Sequence, residues 1–274
     1  MVEVGSKAAM AAGSERAVDR LDLAPRFTEA DAIRLNNLFR GTDTREMLRS
    51  VIRDGLAGEL AVVSSFGAES AVLLHLVAEV DPATPVLFLE THKHFPETLA
   101  YRDQLVERLG LTGLRIVEPD PAKIAAKDEN GLRWSWDPDG CCEIRKVEPL
   151  AFALQHFDAS ITGRKGFQSS TRAGLPRFEV DRSDAQGRLK INPLASWSKD
   201  DLESYFIAHD LPAHPLVAQG YPSIGCAPCT SKVAPGEDPR SGRWKGWEKT
   251  ECGIHSPTDG DEPGELPPGY DPVF

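Results

Sequence analysis

The chain has 274 residues, 41% hydrophobic and 27% charged, enough to bury a sizeable core in one large domain or a domain with appendages. Its formal net charge of −11 argues against a general binder of nucleic acid or anionic membrane. No apolar run approaches the roughly 20 residues that span a bilayer. Five cysteines, with a Cys-x-x-Cys and no export signal, point to a reducing cytoplasm rather than a disulfide scaffold.

Residues 1–25, rich in Ala, Ser and Gly with both signs of charge, read as a disordered leader. Helical spacing follows over 27–40 and 44–54, with Thr42 and Asp43 available as caps. An alternation then begins: strand 60–65, helix 68–79, strand 85–89, helix 96–109 opened by Pro96, strand 114–117, short helix 121–127. A helix over 142–156 and a strand over 159–162 extend it. Short apolar strands alternating with helices predict an α/β fold, a parallel sheet with helices on both faces. Beyond Gly163 a small hairpin is expected over 178–180 and 189–191, then a helix capped by Ser198 and running to His209. Pro and Gly dominate from Leu211, so 221–274 reads as loops organised by a metal plus a mobile tail. The domain plan is therefore 26–215 as the α/β body, carrying Cys141-Cys142, and 216–274 as loop and tail.

Three features carry chemistry. The first strand runs through Ser64-Ser65-Phe66-Gly67-Ala68-Glu69-Ser70 into a helix, offering backbone N–H groups and a helix N-terminus to an anion. It is neither a Walker A loop nor a dinucleotide fingerprint, but it lies at the carboxyl end of a parallel strand, where open α/β sheets bind ligands. Four cysteines form two close pairs, Cys141-Cys142 and Cys226-Ala227-Pro228-Cys229, the count for an iron–sulfur cluster or a zinc ion. Adjacent cysteines are unusual for zinc. The fifth, Cys252, sits near Lys249 and His255, cations that could hold it as thiolate. Basic islands at Arg145-Lys146, Arg164-Lys165, Arg172 and Arg240 to Lys249 suit a small anion, or are solvated surface charge. His75 and His156 read as packing or surface histidines.

In chain order, these segments, together with Phe88-Leu89-Glu90-Thr91, Lys93-His94-Phe95-Pro96-Glu97-Thr98, Thr162-Gly163-Arg164 and Glu251-Cys252-Gly253-Ile254-His255, resemble the adenylyl-sulfate and phosphoadenylyl-sulfate reductase family. The last motif is highly specific to it. The resemblance covers roughly 64–255 and implies a PP-loop, adenine nucleotide alpha hydrolase-like parallel sheet. It implies a [4Fe–4S] cluster on Cys141, Cys142, Cys226 and Cys229, and Cys252 as the nucleophile. Lys146, Arg164, Arg240 and Arg243 become cationic contacts, with His255 assisting. Ser64 and Gly67 hold the phosphate side, and Leu89 and Gly163 lie where the adenine is read. The implied reaction reduces adenosine 5'-phosphosulfate to sulfite and AMP, with thioredoxin or a similar dithiol as donor, in sulfate assimilation and cysteine biosynthesis. No nucleic acid or membrane partner is implied, and a homo-oligomer stays open.

Two departures matter. Glu90-Thr91-His92 stands where many relatives have Asp-Thr-Gly, and a Ser-Ser-Phe-Gly turn also occurs in the cluster-free, phosphoadenylyl-sulfate branch. The alternatives are thus a phosphoadenylyl-sulfate reductase, or a metal-stapled nucleotide-binding sensor in which Cys252 is indifferent.

Overall fold

The computed structural model describes residues 25–168, 172, 174–184, 186–249 and 251–255; most of the expected leader and the end of the tail lie outside these. In chain order the elements are α1 (Glu29–Leu38), α2 (Thr44–Ile52), β1 (Leu60–Val63), α3 (Ser70–Val80), β2 (Val86–Leu89), α4 (Pro96–Leu109), β3 (Leu114–Val117) and α5 (Pro121–Lys127). Then come α6 (Pro138–Cys142), a π turn (Glu143–Val147), α7 (Glu148–Ala153), β4 (Ala159–Thr162), β5 (Phe178–Val180), β6 (Leu189–Ile191) and α8 (Lys199–Ala208). Among the described residues no helix is long and apolar enough to cross a membrane.

The six strands lie in the order β3-β2-β1-β4-β6-β5, parallel except for the β5–β6 pair. Alternate residues face opposite sides: Val62, Val86 and Phe88 join the main core with α1, α2, α3, α4 and α8, while Ala61, Leu87 and Leu89 meet Leu150, Leu154 and Phe157 on the other face. α3 contributes seven buried side chains and anchors the main core; each of its Val and Leu side chains contributes about 1.5–3 kcal/mol on burial.

Local chemistry sets the boundaries. α1 starts two residues later than the apolar pattern predicts, because Thr28 and Asp31 form a capping box. α4 opens with Pro96 at its first turn and stops at Gly110, which takes φ +64°. α8 begins at a second box, Ser198 with Asp201. Asn36 on α1 bonds both backbone groups of Phe178, at 2.7 and 3.1 Å, and so closes the β5 edge. Before α1, the N–H groups of Arg26 and Phe27 bond the carbonyls of Gln186 and Gly187 in the hairpin turn, at 2.9 and 3.1 Å. That turn precedes Leu189, which pairs with Ala159 at the start of β4, so it sits at the amino end of the parallel strands.

The helix expected over 142–156 is longer. It starts at Pro138, where Asp137 accepts from the Gly140 N–H at 2.8 Å, and runs through the π turn. Both adjacent cysteines therefore lie inside it.

Candidate active site

β1 is flanked by β2 and β4: the chain runs from β1 out to β2 and β3 on one side, then crosses to β4 on the other, a reversal that opens a crevice at the carboxyl ends. Ser64 and Gly163 stand on its two sides. In the serine turn Phe66 is forced to φ +49°, uncommon for a bulky residue; its N–H bonds Ser64 Oγ at 3.2 Å, and Ser70 Oγ donates to Gly67 O at 2.7 Å. No side chain caps α3, and the Ser70 N–H turns back to the Gly67 carbonyl at 3.1 Å. A Cβ on Gly67 would stand 3.4 Å from the carbonyl of Ile224, so the turn abuts the cysteine-bearing loop. A Cβ on Gly163 would meet only Leu73, at 3.7 Å, so that position is open. The Leu89 carbonyl accepts from His94 Nε2 at 2.9 Å.

The four cysteines expected as ligands come together. Cys141, Cys142, Cys226 and Cys229 line one space with Lys146, Trp134 and Trp244. Two networks fix the two segments. Arg145, in the π turn, bonds Asp128 at 2.6 Å and the Thr91 carbonyl at 3.0 Å. Cys226 Sγ lies 3.4 Å from the Thr91 hydroxyl, and the Ala227 N–H bonds the Lys93 carbonyl at 2.7 Å. Thr91 thus touches both halves. The Trp244 N–H bonds the Cys229 carbonyl at 3.0 Å, drawing 240–249 onto the loop.

Electrostatics differ among the thiols. Burial pushes Cys142 up to about 12 and Cys229 up to about 11, and raises Cys141. Burial also opposes ionisation of Cys226, but Lys146, the Thr91 hydroxyl and Arg243 outweigh it and lower that thiol. Burial likewise disfavours charge on Lys146, yet Cys226, Cys252 and Cys142 together hold its ammonium above the ordinary lysine range.

Cys252 approaches this centre on a docked segment. Glu251 pairs with Arg172 through two bonds, 2.9 and 2.8 Å, and with Arg240 at 3.2 Å. Lys249 pairs with Asp139 on α6. A Cβ on Gly253 would stand 3.1 Å from Val147, so the chain passes tightly over the π turn, and Ile254 packs against the cluster of Leu150 and Leu154. The side chain of His255 lies outside the described residues.

The expected cations divide. Arg164 pairs with Glu179 and bonds the Thr162 hydroxyl at 3.3 Å, and Arg240 meets Glu251. Lys146 and Arg243 form no carboxylate ion pair among the described residues; Arg243 lies over the Trp244 ring at 4.5 Å. Sequence reasoning left Arg172, Glu251, Thr91, Asp128 and Trp244 without roles. Arg172 stood among the basic islands and Glu251 in the cysteine motif, but nothing local linked them.

The phosphoadenosine phosphosulfate reductase domain matches residues 59–232, from the start of β1 past all four paired cysteines. The chain belongs to this family. It is 50% identical to an adenosine 5'-phosphosulfate reductase of Mesorhizobium japonicum, over 88% of this chain and 93% of the relative. A phosphoadenosine 5'-phosphosulfate reductase of Gloeobacter violaceus is 44% identical, over 72% of this chain and 83% of its own. Among solved structures, the phosphoadenylyl-sulfate reductase of Candida auris in its phosphate complex superposes with a TM-score of 0.63 at 27% identity, covering 77% of this chain and all of that one. The expected mostly parallel α/β fold of these reductases is the one observed.

Proposed function

We propose that this reductase converts adenosine 5'-phosphosulfate to sulfite and AMP, with Cys252 as nucleophile. The observation that carries the reading is the seat of the cysteine segment on the π turn that bears Lys146: a Cβ on Gly253 would stand 3.1 Å from Val147, and Cys252 helps to hold the Lys146 ammonium charged. The Cys252 thiolate attacks the sulfur of the phosphosulfate; the S–O bond breaks, its electron pair leaves with AMP, and a cysteine S-sulfonate remains. A dithiol donor such as thioredoxin then attacks Cys252 Sγ, expelling sulfite as a mixed disulfide forms. The donor's second thiol resolves that disulfide, so the donor supplies both electrons. Lys146 and Arg243 offset charge on the approaching anion and on the leaving phosphate. Ser64 and the N–H groups around Gly67 receive the phosphate, with Leu89 and Gly163 against the adenine. Arg164 and Arg240 complete the cationic wall, and His255 follows the nucleophile.

Cys141, Cys142, Cys226 and Cys229 are suited to a [4Fe–4S] cluster. Among the described residues, the group of three or more His, Cys, Asp or Glu side chains that converges within 4.8 Å contains none of them. A single zinc ion, with bonds of about 2.3 Å, would hold sulfurs about 3.8 Å apart. Adjacent helical residues diverge by about 100°, which also fits separate corners of a larger body. Bound there, a cluster supplies fixed charge beside Lys146 and a link between the two cysteine segments.

The test is sulfite release from adenylyl sulfate with reduced thioredoxin, using anaerobically purified protein. Cys252→Ser should abolish it while iron content stays unchanged; full activity in that variant would remove Cys252 from the mechanism. The Gloeobacter relative keeps a second reading in view, phosphoadenylyl sulfate as substrate. Kinetics with the two nucleotides side by side separate them.

A further inference from the structure

We propose that His75, Glu79 and His209 form a second metal site, remote from the cysteines, that takes Zn2+ or a similar divalent transition ion. His75 and Glu79 stand one turn apart on α3, and His209 caps the end of α8. One ligand atom of each lies within 4.8 Å of the other two. Metal bonds of about 2.0–2.2 Å hold such atoms roughly 3.3 Å apart, so side-chain adjustment closes the set.

The surroundings resemble the supporting shell of a metal centre. The Tyr205 hydroxyl lies 2.8 Å from His75 Nδ1 and fixes that ring, leaving Nε2 as the nitrogen that ligates. Arg45 Nε holds Glu79 Oε2 at 2.7 Å, leaving the second carboxylate oxygen for an ion. The Tyr205 ring lies 4.1 Å from that of His209, and the two imidazoles are 4.6 Å apart. Two imidazoles and one carboxylate form a borderline donor set, suited to Zn2+, Ni2+ or Cu2+ rather than Mg2+ or Ca2+. Glu79 is exposed, so an ion has access from solvent. The site joins the far end of α3, about 14 Å along the helix from Ser70, to α8. It therefore clips the scaffold and takes no part in sulfur chemistry.

The experiment uses anaerobically purified full chain, with iron and labile sulfide assayed and chelator-treated protein as baseline. Zn2+ is added and followed by calorimetry and by the melting temperature. One equivalent should bind, and at a hundredfold excess over Kd melting should rise by roughly 5–10 °C. Glu79→Gln and His209→Gln should each weaken binding at least tenfold and cancel that rise, with iron content and chelator-treated melting unchanged. No Zn2+ binding by the parent protein overturns the proposal. So does equally tight binding by both variants, the result expected if the ion sits on the cysteines.

Discussion

Asp128→Ala should be among the most damaging single changes outside the hydrophobic core. The Asp128 and Arg145 side chains are 2% and 4% exposed, and Asp128 also accepts from the Arg133 N–H at 2.8 Å. Truncation strands a buried guanidinium whose Nε already lacks a hydrogen-bond partner. Breaking a buried pair from one side costs about 3–5 kcal/mol, against total stabilities of about 5–15 kcal/mol. For a chain of this size that is a fall in melting temperature of roughly 6–20 °C. Denaturant unfolding followed by circular dichroism measures the loss, and retention of the proposed cluster's iron reports on the π turn that Arg145 anchors. Adding Arg145→Met should recover much of the stability, since an apolar side chain removes the stranded charge. A loss below about 1 kcal/mol in Asp128→Ala, or no recovery in the double variant, would show that the buried Asp128–Arg145 pair does not hold this region together.

Glu251→Gln removes the charge facing Arg172 and Arg240; charge-assisted bonds contribute about 1.5–3 kcal/mol each, so the docked tail should become roughly ten- to a hundredfold less populated. Sulfite turnover should fall and Cys252 alkylation should speed up; parent-like values for both would disconnect Glu251 from the proposed nucleophile. In Gly225→Ala the new Cβ would lie 2.1 Å from Arg243 Nη2, so the flexible guanidinium must move. KM for the nucleotide should rise while the melting temperature stays nearly constant, and an unchanged KM would place Arg243 outside the substrate site. Burial holds His214 down to about 4, below the unfolded value of about 6.5. The unfolded chain therefore takes up this proton first: the contribution is intact above pH 6.5 and is lost as pH falls to about 4, up to about 3 kcal/mol. Urea unfolding at pH 7.5 and 4.5 should show a smaller acid loss in His214→Gln than in the parent, and equal losses would exclude this residue.

Elements whose ends carry their own chemistry were legible. Pro96 and Gly110 bracket α4, Ser198 opens α8, and the apolar runs of β1, β2 and β4 read as buried strands. The start of α6 was hidden because Pro138-Asp139-Gly140 looks like a turn, and its capping depends on Asp137 reaching Gly140. The π turn leaves no periodic trace in so short a helix. At the site, the cysteines announced themselves by type and spacing. The contacts that orient them did not, since Arg145 with Asp128 and Glu251 with Arg172 join segments far apart in sequence. His75 looked ordinary for the same reason: its neighbour His209 arrives from another helix.

The hairpin turn that receives Arg26 and Phe27 has a practical consequence. Gly187 takes φ +70°, and a Cβ there would stand 2.6 Å from the Phe27 carbonyl, so any larger residue would lever the incoming strap away. With the strap seated, the polypeptide enters at the amino end of the parallel strands, opposite the thiols. An affinity tag, a fused electron-donor protein or a solid support joined directly to Pro25 would attach at the rear. Immobilised this way, the enzyme keeps its working mouth turned toward the medium.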